Sequence, residues 1–142
     1  MASSRVSTAI TWSAASSVSL NSTSVIASDA FSFHVEDWEA DIQISCDNAG
    51  TPASGDYVDL WIAWTAGDLL GDSSDDFDTN EYAEPLGRID TVAANTPGED
   101  PARRTFHLPS TASKGFKLLA KANQGATRAI TLRAMISAHR GQ

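Results

Sequence analysis

The densest run of chemistry-bearing side chains is GDLLGDSSDDFDTNE, residues 67–81, where Asp72, Ser74, Asp76, Asp78 and Asn80 recur at every second position. Oxygen ligands at that spacing can wrap a hard cation such as calcium. Counted from Asp72 as a helix–loop–helix calcium loop, however, the run fails at two positions. The sixth residue is Phe77, where glycine makes the sharp turn, and the twelfth is Ala83, where glutamate closes the site. A solvated acidic surface is the better reading. Asp72, Asp76 and Asp78 therefore stand only as weak metal candidates, and no cofactor is expected.

Other reactive patterns are thin. Glu36, Asp37, Glu39 and Asp41 could supply an acid and a base for glycoside hydrolysis, but a chain with 18 Asp and Glu offers many such pairs. His34, His107 and His139 fall in no HxH or HExxH spacing, and neither a G-x-S-x-G elbow nor a glycine-rich phosphate loop occurs. The expectation is a protein that binds or builds, not an enzyme. Cys46 is the single cysteine, so it has no intrachain disulfide partner and reads as a small buried residue at the end of a strand.

Aromatic residues offer a second kind of chemistry. In YVDLWIAW, Tyr57 and Trp61 share one face of a strand, while Trp64 shares the other with Val58, Leu60 and Ile62. The Tyr57/Trp61 row suits a subunit interface or stacking on sugar rings, and Trp61 reads first as core or subunit interface.

The elements that position these groups follow a period of two. Trp38, Ala40, Ile42, Ile44 and Cys46 alternate with Glu39, Asp41, Gln43 and Ser45, which reads as a half-buried strand with a wet face. Phe31, Phe33 and Val35 alternate just upstream. Ile130, Leu132, Ala134 and Ile136 share a face, with Arg133 on the opposite one. Weaker strands are expected at 6–12, 24–27, 86–91, 103–108 and 116–122. Long polar loops separate them, at 48–56, from 65 to about 85, and at 93–101. Short strands in this number predict an all-β, single-domain β-sandwich of jelly-roll type over residues 1–142. The Ser/Ala/Thr-rich first 30 residues are expected to include an extended arm.

Charge is distributed unevenly. All 18 acids precede residue 101, whereas eight of the 10 Lys and Arg follow it, among them Arg103, Arg104, Arg128 and Arg133. These four are the expected interface cations, with Arg103 and Arg104 foremost because they open a strand after a proline-bounded loop. An acidic body with a basic last third gives complementary fields, within a subunit or between subunits. The net charge of −8 argues against nucleic acid as a partner. No apolar run reaches membrane-span length, and MASSRVSTAITW has no signal-peptide block, so neither a membrane nor a secretion route is expected.

Two blocks carry a resemblance: YVDLWIAWTAGDLLGDSSDDFDTNEYAEPLGRIDT, and ARRTFHLPSTASKGFKLLAKANQGATRAITLRAMIS. Strand, acidic loop and strand, followed by three basic-edged strands, resemble the layout of small virion proteins of tailed bacteriophages of the head decoration or cement type. The resemblance implies a structural protein of the virion, made in the host cytoplasm. It would bind the major capsid protein across joints between capsid subunits, commonly as a homo-oligomer, with a trimer favoured. It implies no catalytic residues. The alternative is a carbohydrate- or protein-binding sandwich of a phage tail, neck or baseplate.

Overall fold

A computed structural model describes residues 4–20, 25–48, 55–65, 83–91, 102–108, 115–123 and 130–141. These form β1 (Ser4–Ile10), β2 (Val18–Leu20), β3 (Ile26–Ala27), β4 (Phe31–Ser32), β5 (Asp37–Asn48), β6 (Tyr57–Thr65), β7 (Glu84–Asp90), β8 (Ala102–Leu108), β9 (Gly115–Asn123) and β10 (Ile130–Arg140). The described residues contain no α-helix, as the period of two predicts.

The strands build two antiparallel five-stranded sheets. In the first the order is β1-β10-β5-β8, and β2 continues the line of β1 along β10. In the second it is β3-β9-β6-β7, and β4 continues the line of β3 along β9. The pairing is therefore nested. The outermost segments of the chain pair with each other, then the next two inward, then β5 with β8, and finally β6 with β7. That is a long hairpin rolled over itself, the arrangement of a jelly roll.

Between the sheets, Ile10, Leu20, Ile42, Ile44, Leu132 and Ile136 of the first meet Val58, Leu60, Phe116 and Leu118 of the second. All are 1% exposed or less. Each fully buried side chain of this kind contributes about 1.5–3 kcal/mol. Trp64 packs against this core from its rim, on the face that the alternation assigns it.

Three expectations are corrected. Residues 4–20 do not form a free arm: β1 pairs with β10 along its whole length, and Trp12 and Leu20 are buried. A Ser/Thr-rich strand at a sheet edge needs only one apolar face, so its composition looks looser than its packing. Val35 is not part of a buried alternation. It sits at 94% exposure on the turn before β5, where the Asp37 amide donates to the His34 carbonyl. Trp38 does not share the inner face of β5 either. The register slips between Glu39↔His139 and Asp37↔Arg140, leaving Trp38 as an extra, bulged residue. The bulge inverts the alternation, so Asp37 is buried and Trp38 is half exposed.

Candidate docking face

The outer face of the first sheet is interrupted where one of its strands breaks. β1 leaves β10 after Ile10, and β2 rejoins it at Val18↔Leu132, so no residue of either stands opposite Arg133. The excursion closes in a two-residue turn, with Trp12 and Ala15 exchanging both backbone bonds at 2.8 and 3.0 Å. Ser13 and Ala14 take positive φ of 48° and 65°, the left-handed pair that a tight hairpin turn requires. Asp29, arriving from the second sheet, clamps the excursion. Its carboxylate accepts from Thr11 Oγ1 at 2.7 Å, the Ala14 amide at 2.8 Å and the Ser13 amide at 3.1 Å. The Thr11 bond, ahead of the two amides, holds the Asp29 carboxyl below its ordinary range.

The break leaves an open hollow of about 430 Å³ on the outer face of the first sheet, lined by Ala9, Ser16, Gln43, Ser45, Arg103, Arg133, Ala134 and Met135. Register explains the set. Ser45 of β5 pairs with Arg133 of β10 on one side and Arg103 of β8 on the other. Because all three are directly opposite, they project from the same face. The next outward row is Ala9, Met135 and Gln43. No carboxylate lines the hollow, and neither Arg103 nor Arg133 has an ion-pair partner among the described residues. Met135 is 49% exposed.

The other end of this face is ionic. Arg5 Nη2 lies 3.2 Å from Asp41 Oδ2, and its Nε donates to His139 Nε2 at 3.0 Å. His107 Nδ1 donates to Asp41 Oδ1 at 2.7 Å. Glu39 lies between the two imidazoles, 3.6 Å from His107 Nε2 and 3.5 Å from His139 Nδ1. The His107 hydrogen bond is the main cause that holds the Asp41 carboxyl below its ordinary range; the Arg5 charge adds to it and partial burial opposes it. Trp38 stands edge-on to His139, ring centroids 5.2 Å apart. The face thus carries a cationic hollow at one end, a neutral middle, and a histidine–carboxylate ladder beside an exposed tryptophan at the other.

The remaining expected interface residues lie elsewhere. Arg103 and Arg104 do not act as a pair, because neighbours on a strand point to opposite faces. Arg104 Nη1 donates to the Arg88 carbonyl at 2.8 Å, and its guanidinium lies 4.7 Å from the Phe106 ring centroid. Gly87 makes room for both: a Cβ there would come within 2.5 Å of Phe106 and 3.2 Å of Arg104. Arg104 thus ties β8 to β7 and closes one edge of the sandwich.

Tyr57 and Trp61 do share the outer face of the second sheet, but not as a continuous platform. The Arg88 guanidinium sits 3.6 Å from the Tyr57 ring centroid and forks onto Asp59 at 2.7 and 3.2 Å. Asn123 Nδ2 donates to the Tyr57 hydroxyl at 2.6 Å. Trp61 packs on Ala63 and Leu119. Arg128 and the acidic run with Asp72, Asp76 and Asp78 lie outside the described residues. Among the described residues, no group of three or more His, Cys, Asp or Glu is arranged to hold a metal ion, and no helix is long and apolar enough to cross a membrane.

Sequence reasoning singled out Arg103 and Arg133 and set Arg133 on one face with Met135, but it did not bring Ser45 and Gln43 beside them or turn Trp38 outward at the far end of the face. The outward alternation of β5 carried the signal for Ser45 and Gln43. Nothing in the sequence marks the bulge that turns Trp38 outward. No protein-family model matches the chain, and no curated protein matches it significantly.

Proposed function

We propose that the chain is a structural protein of a bacteriophage virion, decorating or cementing the head by docking the outer face of its first sheet across joints in the major capsid protein. The observation that carries this reading is the hollow between Arg103 and Arg133: two cations without ion-pair partners among the described residues, flanked by exposed Met135, on a broad sheet face that also bears Trp38. Tryptophan and arginine are the side chains on which interface energy concentrates. The layout resemblance supports the same reading, and so does the jelly-roll nesting, a framework common in capsid proteins. A homotrimer would engage several joints together, so that modest contacts sum.

The test is occupancy of purified particles. Mass spectrometry should find the chain in many copies per head. Replacing Arg103 and Arg133 by Glu should strip it from the particle, and wild-type occupancy should fall as salt rises, whereas an R103A/R133A variant should lose most of that salt dependence. Absence from particles, or full occupancy by R103E/R133E, overturns the reading.

A second reading, a sugar-binding module of the tail, draws on the hollow of about 270 Å³ where Trp61, Pro85, Gly87 and Arg88 meet. Glycan-dependent quenching of tryptophan fluorescence, lost in Trp61→Ala, would select it.

A further inference from the structure

We infer that the hollow over Ser45 is a receptor for an acidic peptide segment of the partner protein, seated with a carboxylate between Arg103 and Arg133 and an apolar side chain on Ala9 and Met135. The inference deepens the docking reading and rests on it for the identity of the partner.

Three observations point to this occupant. First, two guanidiniums flank one serine on directly paired strands. A carboxylate seated over that serine would meet both cations at once. Second, the rest of the lining supplies hydroxyl and amide groups from Ser16, Ser45 and Gln43, together with apolar area from Ala9 and Met135, but no acid among the described residues. A planar guanidinium fork suits a carboxylate, while the apolar flank suits a peptide over a small inorganic anion. Third, on a chain of net charge −8, three described acids are engaged away from the hollow: Asp37 with Arg140, Asp41 with Arg5 and His107, and Asp59 with Arg88.

The strand ends that flank the chain's own acidic run, Thr65 and Glu84, lie away from the site. The run leaves β6 at Thr65, which pairs with Gly115, at the end of the sandwich where Leu108 pairs with Ala40. Ser45 lies toward the other end, near Asn48↔Ile130. Reaching the hollow and returning would span on the order of 60 Å, about the full extended length of residues 66–82.

The experiment is a titration of the intact chain with blocked hexaglutamate at low salt, followed by amide and methionine-methyl NMR shifts. Hexalysine and inorganic phosphate serve as parallel probes. Hexaglutamate should move the signals of Ser45, Gln43, Arg103, Arg133 and Met135. Arg103→Ala or Arg133→Ala should each weaken it by roughly tenfold or more. The double Lys variant should fall between wild type and double Ala, because it keeps charge but loses the fork. The dispersed β-sheet spectrum checks folding of each variant.

Phosphate binding as tightly as the peptide makes the hollow a general anion site and overturns the inference. So do shifts confined to other faces, or affinity unchanged in the double Ala variant. Marked tightening in E99Q/D100N would make the chain's own acids the occupant. A mass that rises with protein concentration and collapses in R103E/R133E would make a second copy the occupant. Either result overturns the assignment to a partner. Particle loading separates the two proposals. A double Ala variant that loses peptide but still loads particles leaves the receptor standing and removes the docking reading. A wild type that loads through these arginines yet ignores the peptide does the reverse.

Discussion

Asp37 and Arg140 close the first sheet at the point where its register slips. Arg140 Nε donates to Asp37 Oδ1 at 2.8 Å, with Nη2 3.4 Å from Oδ2, and the His34 amide donates to Oδ2 at 2.8 Å. The carboxylate is fully buried, whereas the guanidinium remains 29% exposed. Burial alone would push the Asp37 carboxyl up. The Arg140 and His34 hydrogen bonds and the Arg140 charge outweigh it, so the group lies below its ordinary value. The pair unites an acid from the body with a base from the last third, one instance in which the sequence's charge split is neutralised within the subunit.

Removing one partner should therefore cost more than a surface pair does. Arg140→Ala is expected to destabilise by about 2–4 kcal/mol, because it strands a buried carboxylate. Chemical denaturation measures it, and a loss below about 0.5 kcal/mol would place the pair with ordinary surface contacts.

The same pair sets an acid limit. A carboxyl lowered on folding contributes stability that is complete above its unfolded value near 3.8 and is lost as pH falls through the lower folded value. Stability measured from pH 5 downward should decline more steeply in wild type than in Asp37→Asn. Parallel curves would remove Asp37 from the acid response.

Gly115 is expected to tolerate no side chain. It pairs with Thr65 on one side and Ser32 on the other, and a Cβ would drive into the Phe31 carbonyl. Gly115→Ala should cost about 1–3 kcal/mol through overpacking, read as a lowered melting temperature. An unchanged melting temperature would mean that β4 can move away freely.

Ala14 should accept glycine with a gain. Its φ of 65° is left-handed, where an L side chain costs about 1 kcal/mol. Its amide bond to Asp29 does not depend on the side chain. Ala14→Gly should raise the melting temperature by roughly 3 °C, while the same change at exposed, extended Ser7 should lower it.

Cys46 should be chemically silent in the native state. Burial pushes its thiol up to about 12, so almost no thiolate exists near neutrality. A chromogenic thiol reagent should label it only after unfolding, at a rate tracking denaturant. Rapid labelling of native protein would show that the interior of β5 opens.

Period-two patterning was enough to reveal an all-β sandwich from the sequence, because inward side chains on a strand must be apolar wherever two sheets meet. The inner faces of β5, β6 and β10 follow it from Ala40 to Cys46, Val58 to Trp64 and Ile130 to Ile136. The opposite orientation of Arg103 and Arg104 was implicit in the same rule. Pairing between distant strands decided the rest. One bulged residue exchanged the places of Asp37 and Trp38, and a bulge depends on the register with β10, not on local preference. Arg88 covered the Tyr57 ring because β7 happens to lie beside β6. The cationic hollow exists because β1 and β2 part around Arg133 while β5 holds Ser45 between Arg133 and Arg103. Those residues are separated by tens of positions along the chain. Only the nested pairing of first strands with last brings them to one face, and no local periodicity encodes which strands become neighbours.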